Sequence, residues 1–241
     1  MSSQQERPEQ SLEWVADGTR RLLSAVSTLG DAALDGPTLL PGWNRRYLLS
    51  HVANNASALR NLVHWATTGQ ERRMYASARQ RDADIVAGAA APAGELRDLV
   101  RATAAVLWAD LDAMPAPAWS AQVITAQGVT RYASQIPWMR AREVYVHSVD
   151  LDAGVSFADL PAAFLAALLD DIAARRTTVG TGPALSLSAT DTGGWWAVGG
   201  ATGPVAVQAP LAALTEWLAG RPVTGLTDAA GAPVPALPAW L

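Results

Sequence analysis

NRRYLLSHVANNASALRNLVHWATTG, residues 44–69, is the stretch from which the fold can be read. Asn44 is a strong N-cap residue, and Gly69 follows Thr68 where a left-handed C-terminal residue is needed. Between them lies an apolar, amphipathic helix. Its polar residues stand out. His51 sits near its start, and Asn54, Asn55 and Asn61 are weak helix formers. Asn55 follows His51 by one turn and faces the same way.

Outward from this helix, similar periodicity recurs. In Leu12–Leu29, Trp14/Val15, Leu22/Leu23, Val26 and Leu29 repeat at steps of three and four. Gly94–Met114 predicts a further helix, stopped by Pro115 and Pro117. No helix is assigned between Gly69 and Gly94. From Trp119 to Ala133 the pattern becomes extended, with Gln127-Gly128 as a turn. Ser134 then caps a helix with Pro137 in its first turn, running to about Leu151 before Gly154. Four helices with one long crossover predict a four-helix bundle. After Gly154 the character changes. A helix over Leu160–Arg176 precedes short β-like pieces at Ala184–Ala189, Trp195–Val198 and Val205–Gln208, and Leu211–Ala219 predicts a last helix. The expected class is α+β: a bundle over residues 1–155 and a smaller α+β domain over 156–241.

Composition excludes much. The chain has 241 residues, half of them hydrophobic, enough for one large domain or two modest ones. Mean hydropathy is +0.10, and no apolar run approaches the roughly 18 residues of a membrane span. Net charge is −4 with no basic run, which argues against nucleic-acid and anionic-membrane partners. Met1–Gln10 is polar and lacks a signal-peptide apolar stretch, so a cytoplasmic protein is expected. There is no cysteine, and all 18 basic residues are arginine. GC-rich coding is sufficient cause. The chemical consequence holds regardless: no disulfide, no thiolate nucleophile, no cysteine-ligated zinc and no lysine Schiff base.

Three histidines remain: His51, His64 and His147. Glu143 and His147 are four apart, about 400° around a helix, hence neighbours on one face. That spacing serves a helix-surface ion pair as well as a shared metal. If the second and fourth helices are adjacent, His51 completes a His/Glu/His set pointing inward. Three N and O ligands leave the fourth position of a tetrahedral zinc open, as in catalytic sites, although other divalent ions accept the same donors. Asp150, one turn after His147, is placed either to orient it or to be a surface charge at the helix end. His64 lies about 20 Å further along its helix than His51 and is not expected at the centre. Trp43, Trp65 and Trp138 are candidates for core or for pocket wall.

These residues resemble a known family. His51-Val52-Ala53-Asn54-Asn55-Ala56, Asn61 to Ala66, Thr68-Gly69 and Met74-Tyr75 look like the ligand helix of mycothiol-dependent maleylpyruvate isomerase. So do Thr125-Ala126-Gln127-Gly128, Trp138-Met139-Arg140, Arg142-Glu143-Val144, His147 and Val149-Asp150-Leu151, then Ala219-Gly220-Arg221 and the closing Pro238-Ala239-Trp240-Leu241. Asn54, Arg60 and Pro137 depart from the pattern without touching the ligands. The resemblance implies a DinB-like bundle with His51, Glu143 and His147 as zinc ligands. It implies Arg221 and Arg81 as arginines needed for activity, with Arg221 and Asn55 as candidate contacts for the cofactor mycothiol. The implied reaction is isomerisation of 3-maleylpyruvate to 3-fumarylpyruvate in gentisate breakdown, by a monomer. The wider superfamily includes mycothiol S-transferases, and a metal- or ligand-binding module is the non-enzymatic alternative. Without lysine, the charge of a dianionic substrate must be met by guanidinium groups. Arg142 is turned about 100° from Glu143 and is not the candidate.

Overall fold

The computed structural model describes residues 6–238 and Trp240; residues 1–5, 239 and 241, which belong to the polar opening and the closing motif, lie outside it. The chain divides into two compact units, Met1–Val155 and Ser156–Leu241. The class is α+β, with helices dominating and short strands in each unit.

In the first unit, helices α1 (Glu9–Thr28), α2 (Arg45–Thr68), α4 (Ala93–Asp112) and α5 (Ile136–Asp150) form the bundle, and α3 (Ala78–Ala89) is a fifth helix. Helix α2 is central. The Asn44 side chain accepts from the Tyr47 N–H at 2.9 Å. Gly69 ends the helix at φ +74, its N–H donating to Trp65 O at 2.8 Å. The helix packs into two clusters, one along each half of its length. Leu48, Leu49, Val52 and Ala53 pack with Leu22, Leu96, Val100 and Val144. Ala56, Leu59, Leu62 and Val63 pack with Leu107, Leu111, Trp119 and Ile136. Each fully buried leucine stabilises the fold by about 1.5–3 kcal/mol. The remaining bundle contacts run α1 to α5, α2 to α4 and α2 to α5.

Helix α3 is an addition to the expected four-helix bundle. Of its twelve residues only Ile85 is buried, so the segment has no apolar stripe from which periodicity could be read. Its start is local chemistry: the Ser77 side chain accepts from the Gln80 N–H at 3.0 Å. Its seat on α2 is steric. A Cβ at Gly88 would collide with Ser50 Oγ, and that hydroxyl donates to Ile85 O at 2.8 Å. Ser134 is a correction. Ala133–Gln135 is a 3-10 turn, Gln135 precedes α5 without a side-chain capping bond, and Pro137 does occupy the first turn. Between α4 and α5, β1 (Gln122–Ile124) and β2 (Thr130–Tyr132) pair antiparallel, and Gly128 supplies the turn's φ of +75.

In the second unit, α6 (Ala162–Val179) precedes a three-stranded sheet in the order β4-β3-β5, followed by α7 (Leu211–Leu218). Central β3 (Leu185–Ala189) runs antiparallel to β4 (Trp195–Val198) and parallel to β5 (Val205–Ala209), with Leu187 opposite Trp196 and Val207. Leu185, Leu187 and Ala189 are buried, as the period of two on one face requires. Among the described residues no helix is long and apolar enough to cross a membrane.

Helix α1 meets α5 at Gly18, where a Cβ would lie 2.6 Å from Val144 Cγ2 and 3.2 Å from the Tyr145 ring. Val144 is fully buried and cannot withdraw. Gly18→Ala is therefore expected to destabilise the protein by about 1–3 kcal/mol, through overpacking. Urea unfolding measures it, and an unchanged midpoint contradicts the contact.

Candidate metal centre

Helices α2 and α5 pack side by side and bring His51 to Glu143 and His147. His51 Nε2 is 2.9 Å from Glu143 Oε2, and His147 Nε2 is 3.4 Å from the same oxygen. One donor atom from each residue lies within 4.8 Å of the others. Two ligand atoms at 2.0–2.1 Å from a tetrahedral zinc stand roughly 3.3 Å apart, so the two nitrogen-to-carboxylate distances are already near the spacing such an ion requires. His147 Nδ1 is 2.8 Å from Asp150 Oδ2, and Asp150 is fully buried. An Nδ1–H donated there turns Nε2 toward Glu143 and fixes the ring. Trp43 packs on both rings, edge-on to His51 at 5.3 Å and stacked with His147 at 6.4 Å between centroids.

The electrostatics separate the two imidazoles. Burial alone would raise the Glu143 pKa, but hydrogen bonds and charge from His147 and His51 hold it well below the usual carboxylate range. Burial opposes charge on His147, yet Asp150 and Glu143 together raise it to about 9. His51 is lowered by burial, only partly offset by Glu143. His147 therefore holds the extra proton while His51 stays neutral.

Residues 15–152 match the family described as mycothiol maleylpyruvate isomerase N-terminal domain. The chain belongs to the mycothiol maleylpyruvate isomerase family. Two solved structures resemble it over its whole length: a mycothiol-dependent maleylpyruvate isomerase and a histidine-to-alanine mutant of a mycothiol-dependent maleylpyruvate isomerase. Each has a TM-score of 0.92 and 36% identity, covering 97% of both chains. No curated protein sequence matches.

The arginines that the family resemblance singled out lie in different units. Arg81 reaches the centre because α3 is seated on α2 at Gly88. Its Nη2 is 3.3 Å from His51 Nδ1, its Nη1 bonds Asp82 at 2.9 Å, and its Cζ lies 5.8 Å from the Tyr75 ring centroid. An arginine N–H can only donate, so this contact places the His51 proton on Nε2, facing Glu143. Arg221 is in the second unit, just beyond α7, where its Nη1 donates to Ala219 O at 2.6 Å. Asn55 is buried and its Oδ1 accepts from Arg140 Nη1 at 2.9 Å. Arg140 itself was given no role by sequence reasoning. Its signal was its position, one turn before Glu143 among apolar neighbours on α5. His64 is exposed on α2 and lines a separate cleft of about 680 Å³ with Asn54, Asn61 and Tyr75. Trp138 packs against Trp14 at 5.7 Å, and the Trp65 ring carries Arg73 at 5.7 Å.

The raised His147 pKa has a thermodynamic sign. Protonation favours the folded metal-free protein, so this stabilisation is complete below the unfolded value of 6.5 and disappears as pH rises through about 9. Urea midpoints of protein held in chelator should fall across that window. His147→Gln should flatten the fall; an equal slope in the variant would show that another group titrates.

Proposed function

We propose that this chain isomerises 3-maleylpyruvate to 3-fumarylpyruvate with mycothiol as the thiol and a divalent ion, zinc first among the candidates, on His51, Glu143 and His147. The observation that carries the reading is the convergence of two imidazole nitrogens and one carboxylate oxygen within 4.8 Å, in a chain 36% identical to a solved isomerase over 97% of its length. The same reading places the reaction in gentisate breakdown, in the cytoplasm, and treats the protein as a monomer.

A cis alkene conjugated to a ketone cannot rotate while its double bond is intact. Bound at this centre, a divalent ion would keep the cofactor's sulfur as thiolate, and reversible addition of that thiolate makes the bond single, so that rotation and elimination give the trans product. The chain contains no cysteine, so the sulfur must come from outside. Its own residues do the rest. Glu143 is ionised and ready to ligate. Asp150 orients His147 and strengthens it as a donor. His51, Glu143 and His147 would hold the ion; a His51 that ligates through Nε2 would carry its remaining proton on Nδ1 and would not accept from Arg81. The Arg81 guanidinium would then be available to an anionic group of the substrate. Arg221 is proposed as a further arginine on which activity depends.

His51→Ala and Glu143→Ala should each lose bound zinc and reduce turnover by roughly 100-fold or more. Asp150→Asn should keep the fold and weaken zinc affinity roughly 10–100-fold. Metal analysis and maleylpyruvate loss followed in the ultraviolet, with and without mycothiol, provide the readouts. Full activity in chelated protein, or turnover without thiol, would sink the reading. Turnover of generic electrophiles but not maleylpyruvate would point to a mycothiol S-transferase.

A further inference from the structure

Arg140 is 1% exposed, on α5 one turn before Glu143. Its Nη1 donates twice, to Val52 O and to Asn55 Oδ1, both at 2.9 Å. These bonds tie α5 to α2 one turn from the ligands and hold the guanidinium plane in place. Its Nη2 is equally buried and has no hydrogen-bond partner among the described residues. A buried guanidinium N–H without an acceptor is costly, and such groups in folded proteins have a reason. Packing alone does not supply one, because a methionine would fill the space without burying a charge.

The surrounding charges indicate what is missing. Burial pulls Arg140 down to about 10, so it remains protonated near neutrality, steadied by Glu143 and Tyr75. Glu143 is also the sole anion among the three metal donors, and Asp150 is already bonded to His147. A divalent ion therefore leaves this part of the core positive, and Arg81 adds to it. A water molecule would offer Nη2 an acceptor but no charge. A carboxylate offers both, in a planar form that a guanidinium edge matches.

We infer that the unpartnered edge of Arg140, with Arg81 nearby, is a subsite for one carboxylate of a dicarboxylate substrate, next to the metal donors. The inference rests on the isomerase reading for the identity of that dicarboxylate; the anion subsite itself does not depend on turnover. Nη2 has no solvent contact as the side chains stand, so a carboxylate reaches it only when a neighbour turns aside.

The probe is succinate, a non-isomerisable dicarboxylate, titrated into the zinc-loaded protein by calorimetry, with propionate as the monoanionic control. Wild type should bind succinate in preference to propionate. Arg140→Met should retain one equivalent of zinc, bind succinate at least tenfold more weakly and raise KM for maleylpyruvate similarly, with KM for mycothiol unchanged. Arg140→Lys should recover part of the succinate affinity. If neither variant folds, nitrogen-15 resonances of the wild-type guanidinium groups give the answer directly, because the buried Arg140 signal should shift with succinate. Unchanged succinate affinity in a folded variant, zinc loss in Arg140→Met, or no shift in wild type overturns the subsite. Absence of maleylpyruvate turnover with succinate binding intact would instead overturn the isomerase reading and leave the subsite standing.

Discussion

One carboxylate holds two helices to a common purpose. Glu143 Oε2 lies 2.9 Å from His51 on α2 and 3.4 Å from His147 on its own helix. Ionised groups are expensive inside a protein unless paired and bonded. The bundle meets that condition by surrounding Glu143 with imidazoles and placing a second carboxylate, Asp150, behind one of them. Trp43 screens the rings, Ser50 seats α3, and α3 brings Arg81. The arrangement follows from making one half-buried anion tolerable while keeping its oxygen available.

The legible parts of the fold were those with strong local signals. Asn44 and Gly69 bracket α2 within one residue because capping is chemistry between near neighbours. Glu143 and His147 could be paired because four residues bring a helix back to the same face. That His51 joins them required α2 to lie against α5, a tertiary fact that periodicity suggests only when the bundle is assumed. Helix α3 is not legible from periodicity because Ile85 is its single buried residue. Ser134 does not cap α5 because capping needs a particular backbone geometry as well as a hydroxyl, and here the backbone makes a 3-10 turn first. Arg140 was hidden for a different reason: from residue type alone, arginine reads as surface.

The same residue types explain how the protein manages charge. With arginine as its only strong base, it has no side chain that can act as a neutral amine nucleophile near pH 7, and with no cysteine it has no sulfur of its own. What it presents instead is fixed positive charge in two settings. Arg81 is partly exposed and held by contacts to a histidine and an aspartate. Arg140 is wholly enclosed and held by a backbone carbonyl and an amide. One is partly open to solvent and the other fixed on both sides, a division in keeping with the proposed anion subsite.

The close approach at Gly18 extends the influence of the centre outward. Helix α1 contributes no ligand, yet its missing side chain lets it rest directly against Val144, the residue next to Glu143. It works as a shim behind the ligand-bearing turn. The packing behind the turn that carries Glu143 therefore depends on a helix that places no side chain in the donor cluster, and a change confined to α1 is felt one residue from Glu143.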